Sequence, residues 1–103
     1  MVDRFGSRDT ADGADGFNAL GDYYQNSNKY DQAVAEFSKA INGKFPKQTA
    51  YARISIAQCY ASSGQSKKAI PVLNAYLAMG HEADSYREQA KQMLASMLKG
   101  SPQ

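Results

Sequence analysis

The chain has 103 residues, which is enough for one domain with a modest hydrophobic core. Its net charge of +2 is too small to indicate binding to nucleic acid or to an anionic membrane surface. No apolar run approaches the roughly 20 residues of a membrane helix, so membrane insertion is not expected. Cys59 is the only cysteine, which excludes an internal disulfide.

The charge is distributed unevenly along the chain. Residues 1–46 contain five Lys or Arg and seven Asp or Glu, a net charge of −2, whereas residues 47–103 contain seven and three, a net charge of +4. Such a polarity would orient a charged partner, although solvated helix faces are the simpler interpretation. The N-terminus lacks the apolar segment of a signal peptide. We therefore expect a cytoplasmic protein, or else a segment of a longer exported one.

The first half of the chain predicts a disordered tail followed by two helices. Residues 1–13 carry almost nothing apolar and form the tail. The first helix runs from about Asp15 to Ser27 and the second from about Tyr30 to Ile41, because apolar residues recur every three or four positions. Asn26-Ser27-Asn28 interrupts the first helix, because Asn can take the left-handed conformation that closes a helix, and Pro46 prevents continuation of the second.

The second half predicts three further helices. The third runs from about Gln48 to Ser62 and ends before Gly64. The fourth is capped by Ser66, contains Pro71 near its fifth position and ends at Gly80. The last runs from about Glu82 to Leu98 with apolar residues along one side. Residues 99–103 form a frayed end.

The two helix pairs are related by a shift of 36 residues. The corresponding positions are Leu20 and Ile56, Gly21 and Ala57, Tyr24 and Tyr60, Ala33 and Ala69, Phe37 and Leu73, and Ala40 and Tyr76. Where two antiparallel helices cross closely, a side chain larger than Ala would hold their backbones apart. We therefore expect close helix contacts at Gly21 and Ala33 in one copy, and at Ala57 and Ala69 in the other.

The first copy contains the sequence motif Phe17-x-x-Leu20-Gly21-x-x-Tyr24, followed by Ala33, Phe37, Ala40 and Pro46. It resembles the tetratricopeptide repeat, whose pattern is Trp, Leu, Gly, Tyr, Ala, Phe, Ala and Pro. Phe17 replaces the usual Trp, and Pro46 comes one residue late. The second copy keeps Tyr60 and Ala69 but has Arg53 at the position of the bulky aromatic residue.

The resemblance implies an all-α fold, a tetratricopeptide-like α-α superhelix of five helices in antiparallel pairs. We expect a domain over residues 14–98, with repeat 1 at about 14–46, repeat 2 at about 47–80 and a capping helix at about 82–98. The last unit of a repeat protein must cover the exposed apolar face of its neighbour, which favours the capping role. A truncated third repeat is the alternative for this helix.

The sequence holds no pattern of catalytic or metal-binding residues. Cys59 is expected to be a small buried hydrophobe, and His81, the only histidine, a solvated turn residue. One Cys and one His do not make a common zinc site. The acids Asp9, Asp12 and Asp15 fall at every third position, whereas a calcium loop needs them at every second. A glycine-rich phosphate loop is also absent. We therefore expect no cofactor and no enzymatic activity.

Residues off the packing stripe of the first and third helices are the candidate partner-binding residues, because the first helix of each pair lines the inner surface of such a superhelix. These residues are Asn18, Asp22, Gln25, Asn26, Tyr51, Ile54, Ser55 and Gln58. They predict a polar, weakly acidic groove with one aromatic and one aliphatic contact. Some family members grip a chaperone C-terminus through its carboxylate, but Asp22 would repel that group.

The predicted function is that of a scaffold or adaptor, which binds a peptide or a helix of a partner protein in this concave groove. The alternative is a structural assembly or oligomerisation module within a larger complex or a longer repeat protein, pairing through its methionine-rich last helix. A monomer and a homo-oligomer both stay open. The identity of the partner does not follow from the fold.

Overall fold

The computed structural model describes residues 10–79 and 85–99, which form five helices and no strand. The helices are α1 (Ala11–Asn26), α2 (Tyr30–Lys39), α3 (Pro46–Ser62), α4 (Ser66–Leu77) and α5 (Arg87–Lys99). Helix α1 packs against α2 and α3, α3 packs against α2 and α4, and α5 packs against α4. The all-α fold predicted from the sequence is confirmed.

Helix α1 begins at Ala11, four residues before the predicted start at Asp15. The side chain of Thr10 is the N-cap, because its Oγ1 accepts a hydrogen bond of 2.9 Å from the backbone N–H of Gly13. Residues 11–13 are therefore helical and do not belong to the predicted disordered tail. The rest of that tail, residues 1–9, lies outside the described residues.

Two equivalent turns close α1 and α3. Asn28 (φ 62°) and Gly64 (φ 78°) adopt the left-handed conformation, as predicted. The next backbone N–H in each turn donates back into the helix, from Lys29 to the carbonyl of Tyr24 at 2.8 Å and from Gln65 to that of Tyr60 at 2.7 Å. The two turns thus have the same hydrogen bonds and are separated by 36 residues, the shift that relates the two sequence copies.

The loop between α2 and α3 is held by Thr49. Its hydroxyl donates to the carbonyl of Asn42 at 2.7 Å and accepts from the backbone N–H of Asn42 at 2.8 Å. Helix α2 ends at Lys39, two residues before the predicted Ile41. Pro46 is the first residue of α3, a position at which a missing backbone N–H costs nothing. Helix α3 thus starts two residues before the predicted Gln48.

The second half of the chain differs from the prediction at the helix ends. Ser66 is the first residue of α4 and not its cap; Gln65 takes the cap position without a side-chain hydrogen bond. Pro71 lies inside α4, which ends at Leu77, before the predicted Gly80. Helix α5 is described from Arg87, so the predicted start at Glu82 lies outside the described residues, as do residues 100–103 of the predicted frayed end.

The buried apolar residues form two clusters, and α3 contributes to both. One cluster joins α1, α2 and one side of α3, and the other joins the opposite side of α3 with α4 and α5. The first contains Ala14, Ala33, Phe37, Ala40, Ala52, Ile56 and Cys59. The second contains Ala50, Ile54, Ala57, Ala69, Leu73, Tyr76 and Ala90. Helix α3 therefore lies in the middle of the molecule.

The close helix contact predicted at Gly21 is present. An ideal Cβ built on Gly21 would lie 2.5 Å from Cε1 of Phe37, a distance that leaves no room for a methyl group. Phe37 itself is fully buried on α2. The small residues Ala33, Ala57 and Ala69 are also fully buried, in agreement with the prediction.

Candidate partner-binding surface

Polar side chains join α1 to α3 along one face of the molecule. Asn18 donates through Nδ2 to the backbone carbonyl of Gln48 at 3.2 Å, and Gln25 donates through Nε2 to Oε1 of Gln58 at 3.3 Å. Between these pairs, the hydroxyl of Tyr51 donates to the carboxylate of Asp22, with oxygen–oxygen distances of 2.7 and 2.9 Å. The structure thus brings most of the predicted site residues together, but many of them pair with one another.

An open hollow of about 280 Å³ lies on this face, between the N-terminal parts of α1 and α3. We call it the α1–α3 hollow; it is lined by Asp15, Asn18, Ala19, Asp22, Lys47, Gln48 and Tyr51. Two carboxylates and one ammonium group give the lining a net charge of −1. The hollow is therefore weakly acidic, as the sequence predicted for the groove.

Asn18 is more than nine-tenths buried, and its amide is only half satisfied. Its Nδ2 has the carbonyl of Gln48 as partner, whereas its Oδ1 is buried without a hydrogen-bond partner among the described residues. An unpaired buried acceptor costs about 1–3 kcal/mol. Within the described residues, Asn18 therefore contributes one hydrogen bond between α1 and α3 and one buried acceptor that solvent does not reach.

Tyr51 is the most constrained side chain of this surface. Its ring makes edge contacts with Phe37 on α2 and with Tyr86 beside α5, at centroid distances of 6.3 and 6.0 Å. Burial and the hydrogen bond to Asp22 raise the pKa of Tyr51 to about 12. Tyr51 therefore stays neutral at physiological pH and holds the Asp22 carboxylate in place.

Three of the predicted site residues are less accessible than expected. Ile54 is 2% exposed and packs in the core with Leu73 and Tyr76, so its assignment to the groove was wrong. Ser55 is 3% exposed and Asn18 is 7% exposed. Of the predicted residues, the ones with accessible side chains are Asp22, Gln25, Asn26, Tyr51 and Gln58.

Asp15, Ala19, Lys47 and Gln48 line the hollow but were absent from the sequence prediction. Each lies three or four residues before a predicted site residue on the same helix, a spacing that places the two side chains on one face. Gln48 also donates from Nε2 to Oδ1 of Asp15 at 3.3 Å. Extending the predicted face by one turn toward the N-terminus of each helix would have found Asp15, Lys47 and Gln48, whereas Ala19 lies within the predicted stretch of α1.

Reactive groups are sparse in the described part of the chain. Cys59 is a free, fully buried cysteine, as predicted, and burial together with the nearby Asp22 charge raises the pKa of its thiol to about 11. Residues 10–79 and 85–99 contain no cluster of His, Cys, Asp or Glu that would hold a metal ion. His81 lies outside them. Among the described helices, none is long and apolar enough to cross a membrane.

Comparison with known proteins gives one family. Residues 14–42 match the family model of the tetratricopeptide repeat, and they cover α1, α2 and the turn between them. No curated protein and no solved structure matches the chain. Repeats of this family are non-catalytic scaffolds that generally mediate protein–protein interaction. Residues 14–42, which include α2 and residues 14–26 of α1, are therefore similar to a tetratricopeptide repeat, and they lie within an all-helical fold.

Proposed function

We propose that this chain is a non-catalytic binding module, which holds a segment of a partner protein against the face formed by α1 and α3. The observation that carries the proposal is the α1–α3 hollow, an open depression built from the inner helix of each pair. The family supports it, because its members generally bind other proteins. The chain's thiol is buried and protonated, which favours binding over catalysis.

The chemistry of the hollow favours a segment that donates hydrogen bonds. Asp15 and Asp22 supply carboxylate oxygens. Lys47 supplies the opposite charge at the edge. We therefore expect a Lys or Arg side chain of the partner to bind beside Asp15 and Asp22, with the flanking peptide N–H groups facing α1.

The test uses three short peptides that differ only at one central position, which is Lys, Gln or Glu. Each is titrated into the isotope-labelled chain while backbone amide shifts are recorded. We expect the Lys peptide to bind most tightly and to shift the amides of Asp22, Lys47 and Tyr51. Equal affinity for all three peptides, or shifts confined to α4 and α5, would refute the proposal.

A matched pair of variants separates the hollow from general electrostatics. Asp15→Lys reverses a charge in the lining of the hollow, whereas Asp31→Lys reverses an exposed charge on α2, away from it. Both variants have the same net charge. Asp15→Lys should weaken binding of the Lys peptide about tenfold, the equivalent of 1.4 kcal/mol, while Asp31→Lys leaves it nearly unchanged.

A further inference from the structure

The outer face of α1 is exposed, apolar and acidic at once. Leu20 and Tyr23, which are three residues apart, are 44% and 63% exposed. Asp12 and Asp15 are exposed on the same helix, and the sequence of α1 contains three Asp and no Lys or Arg. We call these four residues the α1 outer face. Large exposed apolar side chains framed by charges of one sign are typical of a protein–protein contact.

A second surface feature lies between the α3–α4 turn and α5. We call it the basic cleft. It has a volume of about 940 Å³. Its apolar wall includes Ala61, Met93 and Met97, and the described residues of its lining include Lys67 and Lys68 but no acidic residue. Methionine side chains adapt readily to the shape of a partner, so this wall suits an apolar side chain from outside.

The start of α4 adds to the positive potential of this cleft. The helix has no acidic residue in its first turn and no side-chain cap at Gln65, so its N-terminal dipole is not offset locally. Lys67 and Lys68 lie in that turn. The positive charge and the apolar wall therefore complement α1, which carries the exposed Asp12 and Asp15 as well as the exposed Leu20 and Tyr23.

We propose that copies of this chain associate head to tail, with the α1 outer face of one copy docked in the basic cleft of the next. The uneven charge of the sequence, −2 over residues 1–46 and +4 over residues 47–103, orients the copies in this way. A contact between two different surfaces leaves one of each free at the ends of the assembly. Association therefore continues beyond the dimer as concentration rises.

The contact uses surfaces distinct from the proposed peptide-binding function, except for Asp15 at the border of the α1–α3 hollow. Leu20, Tyr23, Lys67 and Lys68 do not line that hollow. Failure of one proposal is therefore distinguishable from failure of the other. The Lys67→Glu/Lys68→Glu variant should lose self-association and retain its affinity for the Lys peptide.

Sedimentation equilibrium of the full chain, from low-micromolar to millimolar concentration, tests self-association. We expect the average mass to rise from the 11.2 kDa of one chain to more than that of two chains, and to fall again when salt is added. A mass of one chain at every concentration would overturn the proposal. A plateau at the dimer would equally overturn head-to-tail growth.

Charge reversal on each surface tests which residues meet. Asp12→Lys/Asp15→Lys makes both surfaces basic, and Lys67→Glu/Lys68→Glu makes both acidic. Each variant alone should stay monomeric, with its helices verified by circular dichroism. An equimolar mixture should associate again, because each altered surface then finds its complement. A mixture that stays monomeric would contradict the pairing.

A control variant, Lys29→Glu/Lys44→Glu, changes the net charge as much as the cleft variant does. Lys29 and Lys44 are exposed and lie outside the basic cleft. This variant should associate as the wild type does. Its loss of association, to the same extent as the cleft variant, would show a general charge effect and would overturn the assignment of the cleft.

Discussion

At the scale of single residues, two neighbouring positions hold α1 against the helices beside it. Gly21 lets α1 approach the fully buried ring of Phe37 on α2. On the other side of α1, Asp22 accepts the hydrogen bonds of Tyr51 on α3. Two neighbouring residues thus fix the helix against both of its partners, the first through the absence of a side chain and the second through a charge.

Replacement of Gly21 by Ala tests the close contact with Phe37. A Cβ at this position would lie within 2.8 Å of three ring atoms of Phe37, and overpacking of this kind costs about 1–3 kcal/mol. Alanine regains about 1 kcal/mol in helix propensity, so we expect a net loss of up to about 2 kcal/mol in the free energy of unfolding. Urea denaturation followed by circular dichroism measures it.

The control for this variant is Gly43→Ala, in the α2–α3 loop. A Cβ on Gly43 would have no atom within 4 Å, and its φ is not in the left-handed region. We expect a change within about 0.5 kcal/mol. If Gly21→Ala instead gained the full helix propensity of alanine, about 1 kcal/mol, the tight contact between α1 and α2 would be wrong.

Replacement of Tyr51 by Phe tests the hydrogen bond to Asp22 through its pH dependence. Burial, followed by the hydrogen bond to Asp22, raises the pKa of Tyr51 from its ordinary value of 10.0 to about 12 in the folded chain. The stabilisation that the neutral Tyr51 hydroxyl gives to the folded chain is therefore complete below pH 10 and is lost as the pH rises toward 12. Between these values the wild type should lose stability more steeply than Tyr51→Phe, as urea midpoints at successive pH values would measure.

The same variant has a second readout at neutral pH. Loss of a partly exposed hydrogen bond to a carboxylate should cost about 1 kcal/mol. Cys59 also has a raised pKa, but it is present in both proteins and cancels in the comparison. Parallel stability curves for the two proteins between pH 10 and 12 would show that burial and the hydrogen bond to Asp22 do not raise the pKa of Tyr51.

At the scale of helices, the periodicity of apolar residues was enough to predict the number and order of the elements, but not all of their ends. Helix α1 begins early because the Thr10 cap and the full burial of Ala14 outweigh the poor helix propensity of Gly13 and Gly16. The Thr10 cap is a local signal that apolar periodicity alone does not detect, whereas the burial of Ala14 is a tertiary contribution that no local pattern reports. The prediction therefore failed because it used neither the cap nor the packing.

The site prediction failed at Ile54 for a related reason. A single apolar stripe was assumed for each helix, which holds for a helix with one covered face. Helix α3 lies between α1 and α2 on one side and α4 and α5 on the other, and eight of its residues are buried. A residue off the first stripe, such as Ile54, therefore lies in the second cluster and not at the surface.

Helix α4 lacks one backbone hydrogen-bond donor, which a single substitution should restore. Pro71 lies inside the helix, where it cannot donate a backbone hydrogen bond, and its side chain is exposed. Pro71→Ala restores the donor without disturbing the core, so we expect a gain of about 1–3 kcal/mol in the free energy of unfolding. Thermal unfolding measures it, at about 5 °C per kcal/mol for a domain of this size.

The neighbouring exposed residue Asn74 supplies the control on the same helix. Asn74→Ala changes a solvent-facing side chain and no helix hydrogen bond, so its effect should stay within about 0.5 kcal/mol. A stability for Pro71→Ala equal to or below that of the wild type would mean that the proline is required where it stands. In that case the helical path through residue 71 would have to be revised.

At the scale of the whole molecule, the position of α3 links the two halves. Its residues Ile56 and Cys59 pack with α1 and α2, while Ile54 and Ala57 pack with α4 and α5. Tyr60 and Val72 contact both clusters. Repeat proteins in general are stabilised by each unit together with its interface to the next. Here one helix is shared, so neither cluster keeps its packing when the other is lost.

We therefore expect the described helices to unfold in one transition, and a truncation in either cluster tests this. Leu73→Ala removes a fully buried side chain from the cluster of α4 and α5, at a cost of about 2–5 kcal/mol. Hydrogen exchange of amides in α2, far from the substitution, should lose protection by the same free energy as amides in α4. Protection lost in α4 and α5 alone would show instead that α1, α2 and α3 form a unit that remains folded without them.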